Sequence, residues 1–291
     1  MALKNVARIA KSYSFNKNML KAILRTLARL PLPIIHGSGW ALGWLMYIAD
    51  PKFSRRIRKN LEEVRLVAGR RARRKLVHQV AQEIGKSVAE TFAIWFRPPA
   101  SALQWVRQCH GWEHVESALA QKRGIVFLTP HLGCYEITAL YYAAHHPISV
   151  LYRPPRQGWM TPLVEAGRSR SRVKLAPTNL SGVRTLLRAL KKGEAIGILP
   201  DQVPAPDEGE WAQFFGQPAY TMTLAGKLAE STGAAVLMAF GERLPWGRGY
   251  IVHIEPLTQA PTPQHINDRI EQLVRRRPAQ YLWSYRRFKK P

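Results

Sequence analysis

From residue 54 to residue 96 the apolar positions fall three and four apart: Leu61, Val64 and Val67, then Val77, Val80, Ala81, Ile84 and Val88. That spacing predicts helix. The Pro98-Pro99 pair ends it, because proline lacks the backbone N–H and clashes with the preceding turn. Beyond residue 120 the pattern changes. Short aliphatic and β-branched runs at 124–129, 148–152, 195–199, 234–240 and 250–254 predict buried strands. Helical stretches fall between them at 137–145, 159–171, 181–192 and 221–232. Lys191-Lys192-Gly193 reads as a helix C-terminus, with cations in the last turn and glycine beyond. This alternation predicts an α/β fold with a mostly parallel sheet and helices on both faces. Residues 256–263 only join the last strand to a C-terminal helix.

Residues 31–49 (PLPIIHGSGWALGWLMYIA) carry no Lys, Arg, Asp or Glu. The stretch approaches the ~20 apolar residues that cross a bilayer. Two prolines, three glycines, Ser38 and His36 weaken it as a straight span. Trp40, Trp44 and Tyr47 are amphipathic aromatics favoured at membrane interfaces. No small-residue cleavage site follows, which argues against a secretory signal. The expectation is an N-terminal apolar membrane-anchoring helix, spanning or interfacial. It lies within a basic segment, residues 1–50, ahead of a domain at 51–291 with a helical lead-in (51–100) and an α/β core (120–291).

Charge adds a partner class. The chain has 44 Lys plus Arg against 19 Asp plus Glu, a formal +25, which suits a polyanion. Basic residues crowd Lys17, Lys21, Arg25 and Arg29, then Lys52, Arg55, Arg56, Arg58 and Lys59, then residues 70–75 and the C-terminal tail. Polybasic stretches beside an apolar anchor match anionic lipids. The heavier cluster follows the anchor, which places the main domain in the cytoplasm. At 46% hydrophobic the chain has a core to bury, so global disorder is excluded. Cys109 and Cys134 form neither a disulfide framework nor a zinc ligand set, and Cys134 reads as a small apolar filler.

Candidate chemistry sits at strand ends, where open α/β sheets bind ligands. After the strand at 124–129, Pro130 stops the run, His131 follows, and Glu136 comes five positions later at a helix start. A neutral imidazole oriented by a carboxylate removes a proton from a hydroxyl near neutral pH. Residues five apart point ~140° away from each other on a regular helix, so the two meet only if His131 lies on the turn. The strand at 148–152 ends in Tyr152-Arg153-Pro154, and Arg153 can hold an anion there or make a structural salt bridge. The strand at 195–199 runs into Pro200-Asp201-Gln202-Val203-Pro204, whose Asp201 and Gln202 shape the same crevice.

These blocks, with Phe214-Phe215-Gly216, Ala219-x-Thr221, Ala229-Glu230-Ser231-Thr232-Gly233-Ala234 and the ending Arg277-Pro278-Ala279-Gln280-Tyr281-Leu282-Trp283, resemble the late acyltransferases of lipid A biosynthesis. That family lies within the wider lysophospholipid and glycerolipid acyltransferases. Cys134-Tyr135 stands where the family often has Asn-Trp. The resemblance implies an enzyme of the bacterial inner membrane with its catalytic domain on the cytoplasmic face. It would move a fatty acyl chain from acyl carrier protein to a hydroxyl, on a 3-hydroxyacyl chain, of a lipid A precursor. His131 would be the base and Glu136 its orienting carboxylate, with Arg153, Asp201 and Gln202 at the substrate. No cofactor and no metal is implied, and nucleic acid is not an expected partner.

Other classes fit less well. A metal-dependent hydrolase using His131, Glu136, His145 and His146 lacks the i, i+4 histidine pair of helical zinc sites. A lysophosphatidate acyltransferase would share the His–acid pair but usually carries Pro-Glu-Gly-Thr where this chain has Pro-Asp-Gln. A non-enzymatic nucleic-acid binder explains the charge and leaves the apolar anchor without a purpose.

Overall fold

The computed structural model of the chain describes residues 24–155 and 158–291. Lys17, Lys21 and the rest of residues 1–23 of the expected basic segment lie outside the described residues. After a helical stretch at 24–28, the described chain continues with α1 (Leu32–Ala49), α2 (Pro51–Glu63), α3 (Arg70–Phe96) and α4 (Pro99–Leu103). The continuous helical pattern expected over 54–96 is thus two helices, separated where Arg65 and Gly69 take positive φ (47° and 82°).

Seven strands and the remaining helices follow: β1 (Val106–His110), α5 (Trp112–Ala120), β2 (Ile125–Leu128), α6 (Tyr135–His145), β3 (Ile148–Tyr152), α7 (Thr161–Arg168), β4 (Val173–Pro177), α8 (Leu180–Lys191), β5 (Ala195–Ile198), α9 (Leu224–Thr232), β8 (Ala235–Arg243), β9 (Tyr250–Pro256) and α10 (Pro263–Arg276). A separate hairpin of β6 (Gly209–Phe214) and β7 (Gln217–Met222) precedes α9. The sheet order is β1-β9-β8-β2-β5-β3-β4. All pairings are parallel except β8 with β9. The α/β expectation with a mostly parallel sheet is met.

The strands at the centre, β2 (IVFL) and β5 (AIGI), are buried throughout, as a sheet covered on both faces requires. Alternate residues divide between two cores. Val126, Leu128, Ile196 and Ile198 pack with α2, α3, α8 and α10. Ile125, Phe127, Ala195 and Val150 pack with α5 and α6. Sequence pattern misses β1, β4 and the β6–β7 hairpin. β1 and β4 are half-exposed edge strands, and the hairpin reverses at Phe215 and Gly216, both at positive φ (51° and 69°), as a two-residue turn with I′ twist needs.

α1 lies against α3 rather than apart from the domain. Its buried face is Leu32, Ile35, His36, Gly39 and Gly43. The backbones touch there: a Cβ on Gly43 would sit 2.2 Å from the Ala81 carbonyl oxygen, and one on Gly85 would sit 2.1 Å from that of Gly39. The opposite stripe, Ile34, Gly37, Ala41, Leu45 and Ile48, is exposed. Among the described residues no helix is long and apolar enough to cross a membrane, so the spanning form of the expected anchor is not present there.

A buried charge cluster joins α1, α3 and the sheet. Arg243 donates to Glu90 at 2.5 and 2.9 Å and to Glu83 at 2.5 Å. Tyr250 donates to Glu90 at 2.9 Å, and His36 lies 3.1 Å from the same oxygen. Burial raises the Glu90 pKa, but the Arg243 charge and these hydrogen bonds outweigh it and bring it down to about 2. A carboxyl depressed in the folded state contributes stability that is full above the ordinary value near ~4.3 and lost as pH falls toward the folded value. Glu90→Ala strands Arg243 without its main partner and is expected to cost about 3–5 kcal/mol. Urea titrations should find that gap at pH 7 and find it narrowing below about pH 4; an equal gap at both pH values would contradict the assignment.

Candidate active site

β2 and β5 pair in register, Leu128 against Ile198, and the Thr129 amide donates to the Ile198 carbonyl at 2.9 Å. Each strand then runs into a proline: Thr129-Pro130-His131 after β2 and Leu199-Pro200-Asp201 after β5. Parallel strands in register carry residues at equal offsets to the same height. His131 and Asp201 are therefore delivered to each other.

The Asp201 carboxylate takes both ends of His131. Oδ2 accepts the His131 backbone amide at 2.9 Å and Oδ1 accepts the ring Nδ1–H at 2.8 Å. Nδ1 carries the proton, so Nε2 keeps its lone pair, and the Gln202 side-chain amide donates to it at 3.1 Å. Asp201 is 3% exposed. Burial raises its pKa, yet the His131 ring, the His131 amide and nearby Arg287 outweigh burial and hold the carboxyl below the ordinary range.

Glu136 takes a different partner from the one its spacing suggested. Among the described residues neither ring nitrogen of His131 bonds to it. Its carboxylate accepts from Arg168 at 2.5 and 3.0 Å and from the Trp95 indole at 3.1 Å. The physical reason is the turn: Glu136 is the second residue of α6, and its side chain faces α3 and α7 while His131 faces β5. Burial opposes the Arg168 charge, but Glu136 outweighs it and raises the Arg168 pKa.

The turn between β2 and α6 is braced from the C-terminal tail. Gly133 donates to the Gln280 carbonyl at 3.0 Å, Leu282 donates to the His131 carbonyl at 3.1 Å, and Cys134 donates to the Gly241 carbonyl at 2.7 Å. Gly133 has φ 61°, and a Cβ there would lie 2.1 Å from the Gly241 oxygen, so only glycine fits. These bonds use the amides of Gly133 and Cys134, and the Leu132 amide is bonded to the Pro130 carbonyl, so none of the three is aimed at an incoming oxyanion. The tail's Tyr285 hydroxyl accepts the Val203 amide at 2.9 Å, just beyond Gln202. Arg287 is buried and donates to the Tyr220 carbonyl at 2.7 Å and to Thr221 at 2.6 Å, and the Trp283 indole donates to the Pro278 carbonyl at 2.8 Å. These tail residues anchor the chain end.

His131, Arg153 and Gln202 line one open cleft of about 840 Å³, with Arg168, Asn179 and Lys227 also on its walls. Arg153 is exposed at the end of β3. Asp201 lies beneath the cleft and Glu136 lines an apolar cavity behind it. His145 and His146 sit at the far end of α6, away from His131, so the four groups of the hydrolase reading do not converge. The His131–Asp201 pairing escaped the sequence reading, although the repeated strand-proline-polar pattern of 128–131 and 198–201 signals it.

Residues 9–290 match the family of bacterial lipid A biosynthesis acyltransferases. The chain belongs to that family. This acyltransferase family member is 29% identical to the lipid A biosynthesis lauroyltransferase of Escherichia coli (strain K12), over 92% of this chain and 89% of the relative. It is equally 29% identical to the lipid A biosynthesis palmitoleoyltransferase of the same strain, with the same shares covered. A lipid A biosynthesis acyltransferase of Haemophilus influenzae is 27% identical over 92% of this chain and 88% of its own length.

In this acyltransferase, nitrogen NMR of the labelled His131 ring should report an Nδ1-protonated neutral tautomer. Asp201→Asn should mix the tautomers. Glu136→Ala should leave the tautomer alone while costing about 2–3 kcal/mol of stability, because Arg168 loses its partner in a mostly buried site. A tautomer that responds to Glu136 and not to Asp201 would reverse the assignment.

Proposed function

We propose that this chain moves a fatty acyl group from acyl carrier protein to a hydroxyl, on a 3-hydroxyacyl chain, of a lipid A precursor. The carrying observation is the His131 ring, held by Asp201 with its Nε2 lone pair turned to the cleft. A secondary alcohol is a weak nucleophile. His131 Nε2 takes its proton as the oxygen attacks the thioester carbonyl. The C–S bond then breaks, and the carrier thiolate leaves with the proton from the imidazolium. Every atom is accounted for without a covalent acyl-enzyme. The Gln202 amide occupies the place of the acceptor hydroxyl until substrate replaces it. Asp201 holds the tautomer and offsets the charge that forms on the ring, as the triad carboxylate does. In this reading Glu136 supports the site through Arg168 instead of through His131.

Charge and surface support the partners. Arg153 and Lys227 give the cleft cations for the phosphates of the acceptor. The +25 balance suits both acidic carrier protein and anionic lipid. Attachment to the cytoplasmic face of the inner membrane is supported by the exposed stripe of α1, in which Ile34, Leu45 and Ile48 are 53%, 63% and 74% exposed. Trp246, 88% exposed, stands in the β8–β9 loop, and that loop rests on Pro33 at the start of α1. β8 runs parallel to β2, so this loop lies at the same sheet edge as His131. Arg248 is exposed in the same loop, and Arg29 is exposed four residues before Pro33. An exposed apolar tip with cations nearby in the chain suits an interfacial surface.

The test is transfer from radiolabelled acyl carrier protein to a tetra-acylated lipid A precursor. Wild type should make the penta-acylated product, and His131→Ala and Asp201→Asn should each lose at least ~10²-fold in kcat. Acylation of lysophosphatidate instead would move the acceptor assignment, and transfer to neither would end the acyltransferase reading. For the membrane, Trp246→Ala should lower partition onto phosphatidylglycerol vesicles about tenfold and leave turnover of detergent-dispersed substrate unchanged. Unaltered partition would remove Trp246 from the contact surface.

A further inference from the structure

Attack on a thioester carbonyl drives negative charge onto its oxygen, and that charge needs donors ~2.7–3.1 Å away that are in place beforehand. The turn after β2 commits its amides elsewhere. The His131 amide is bonded to Asp201, and those of Leu132, Gly133 and Cys134 to the carbonyls of Pro130, Gln280 and Gly241. Tyr135 and Glu136, next in the chain, line the apolar cavity behind the cleft rather than the cleft itself. Of the cleft's cations, Arg168 is matched by Glu136. Arg153 follows β3, two strands from β2, ~10 Å away at ~4.8 Å per strand.

Gln202 stands closer. Its side-chain nitrogen lies 3.1 Å from His131 Nε2. Asp201 fixes which end of the amide faces the ring: with the proton on Nδ1, Nε2 only accepts, so the NH2 end must be turned to it. That nitrogen carries two hydrogens, and one bond to Nε2 leaves the second for another acceptor. The backbone beneath it is held on both sides. Asp201 is clamped to His131, and the Val203 amide is bonded to the Tyr285 hydroxyl at 2.9 Å. When an acceptor hydroxyl takes the lone pair, the amide therefore yields by side-chain rotation alone and stays beside the reacting carbon. The attacking oxygen and the carbonyl oxygen share that carbon, so a donor next to one is next to the other.

We propose that Gln202 is a catalytic residue, donating its side-chain amide to the oxyanion that forms at the thioester carbonyl. The proposal rests on the acyltransferase reading and adds the group that stabilises its transition state. The acceptor oxygen bonds the carbonyl carbon as His131 Nε2 takes its proton, and the carbonyl π pair moves onto oxygen. Collapse re-forms the C=O bond, breaks the C–S bond and expels the thiolate, which takes the proton from the imidazolium. Gln202 gives up no proton and holds the charge between the two steps. A mere cap on Nε2 would act in the opposite sense, because it competes with the acceptor hydroxyl for the lone pair.

Gln202→Ala in the full-length protein separates the two roles by sign. Its kcat should fall ~10²–10³-fold, with KM for acyl carrier protein and for acceptor little changed. An acyl-pantetheine analogue with an anionic tetrahedral phosphonate in place of the thioester carbonyl should bind it ~10²-fold more weakly than wild type. The matching thioether, which has no carbonyl oxygen, should bind both proteins equally. Nitrogen NMR should find the His131 ring of the variant still Nδ1-protonated. An unchanged or raised kcat overturns the proposal, and so does equal phosphonate affinity. A lower kcat accompanied by mixed tautomers would make Gln202 a positioning residue and overturn it too. In each of these cases wild type still transfers, so the acyltransferase reading stands; a wild type that transfers no acyl group would end both.

Discussion

One buried carboxylate, Asp201, binds both the backbone amide and the ring of His131, and the arrangement of the whole site follows from that clamp. It requires β2 and β5 to be neighbours in register, although α6, β3, α7, β4 and α8 separate them in the chain. The insertion of β5 between β2 and β3 is thus a chemical requirement as well as a topological one. The clamp also needs the turn after β2 to be rigid. Gln280 and Leu282 hold that turn from the C-terminal tail, and Tyr285 holds the segment after Asp201. A charge buried at 3% exposure is tolerable because each carboxylate oxygen has a donor.

Two further buried ion pairs set α3 against the rest. Glu90 with Arg243 joins α3 to β8 and, through His36, to α1. Glu136 with Arg168 joins α6 to α7, with the Trp95 indole of α3 as a third member. Such pairs contribute little net stability against apolar packing of the same shape, but losing one partner is costly, so they specify which elements meet. One consequence is that α1, apolar along one exposed stripe, is held rigidly beside the sheet edge carrying His131.

Much of the frame is legible from residue order. The runs at 124–129, 148–152 and 195–199 each contain a strand, because strands buried on both faces are continuous apolar segments, and those at 234–240 and 250–254 overlap β8 and β9, which extend three and two residues further. β1 and β4 are not legible, since edge strands such as VRQCH and VKLAP share composition with loops. The break between α2 and α3 is likewise hidden, because apolar spacing continues across it while Arg65 and Gly69 turn the chain.

The sequence alone determines which groups are available: a histidine after one strand, an Asp-Gln pair after another, an uncharged aromatic-rich stretch near the N-terminus and the family motifs. It does not determine who pairs with whom. Glu136 is five residues from His131 and bonds Arg168; Asp201 is seventy residues away and holds the ring. Local spacing measures distance along the chain, and a strand-to-helix turn can send neighbouring side chains to opposite sides. Only the register of β2 with β5 decides the pairing, and register is a property of the assembled sheet.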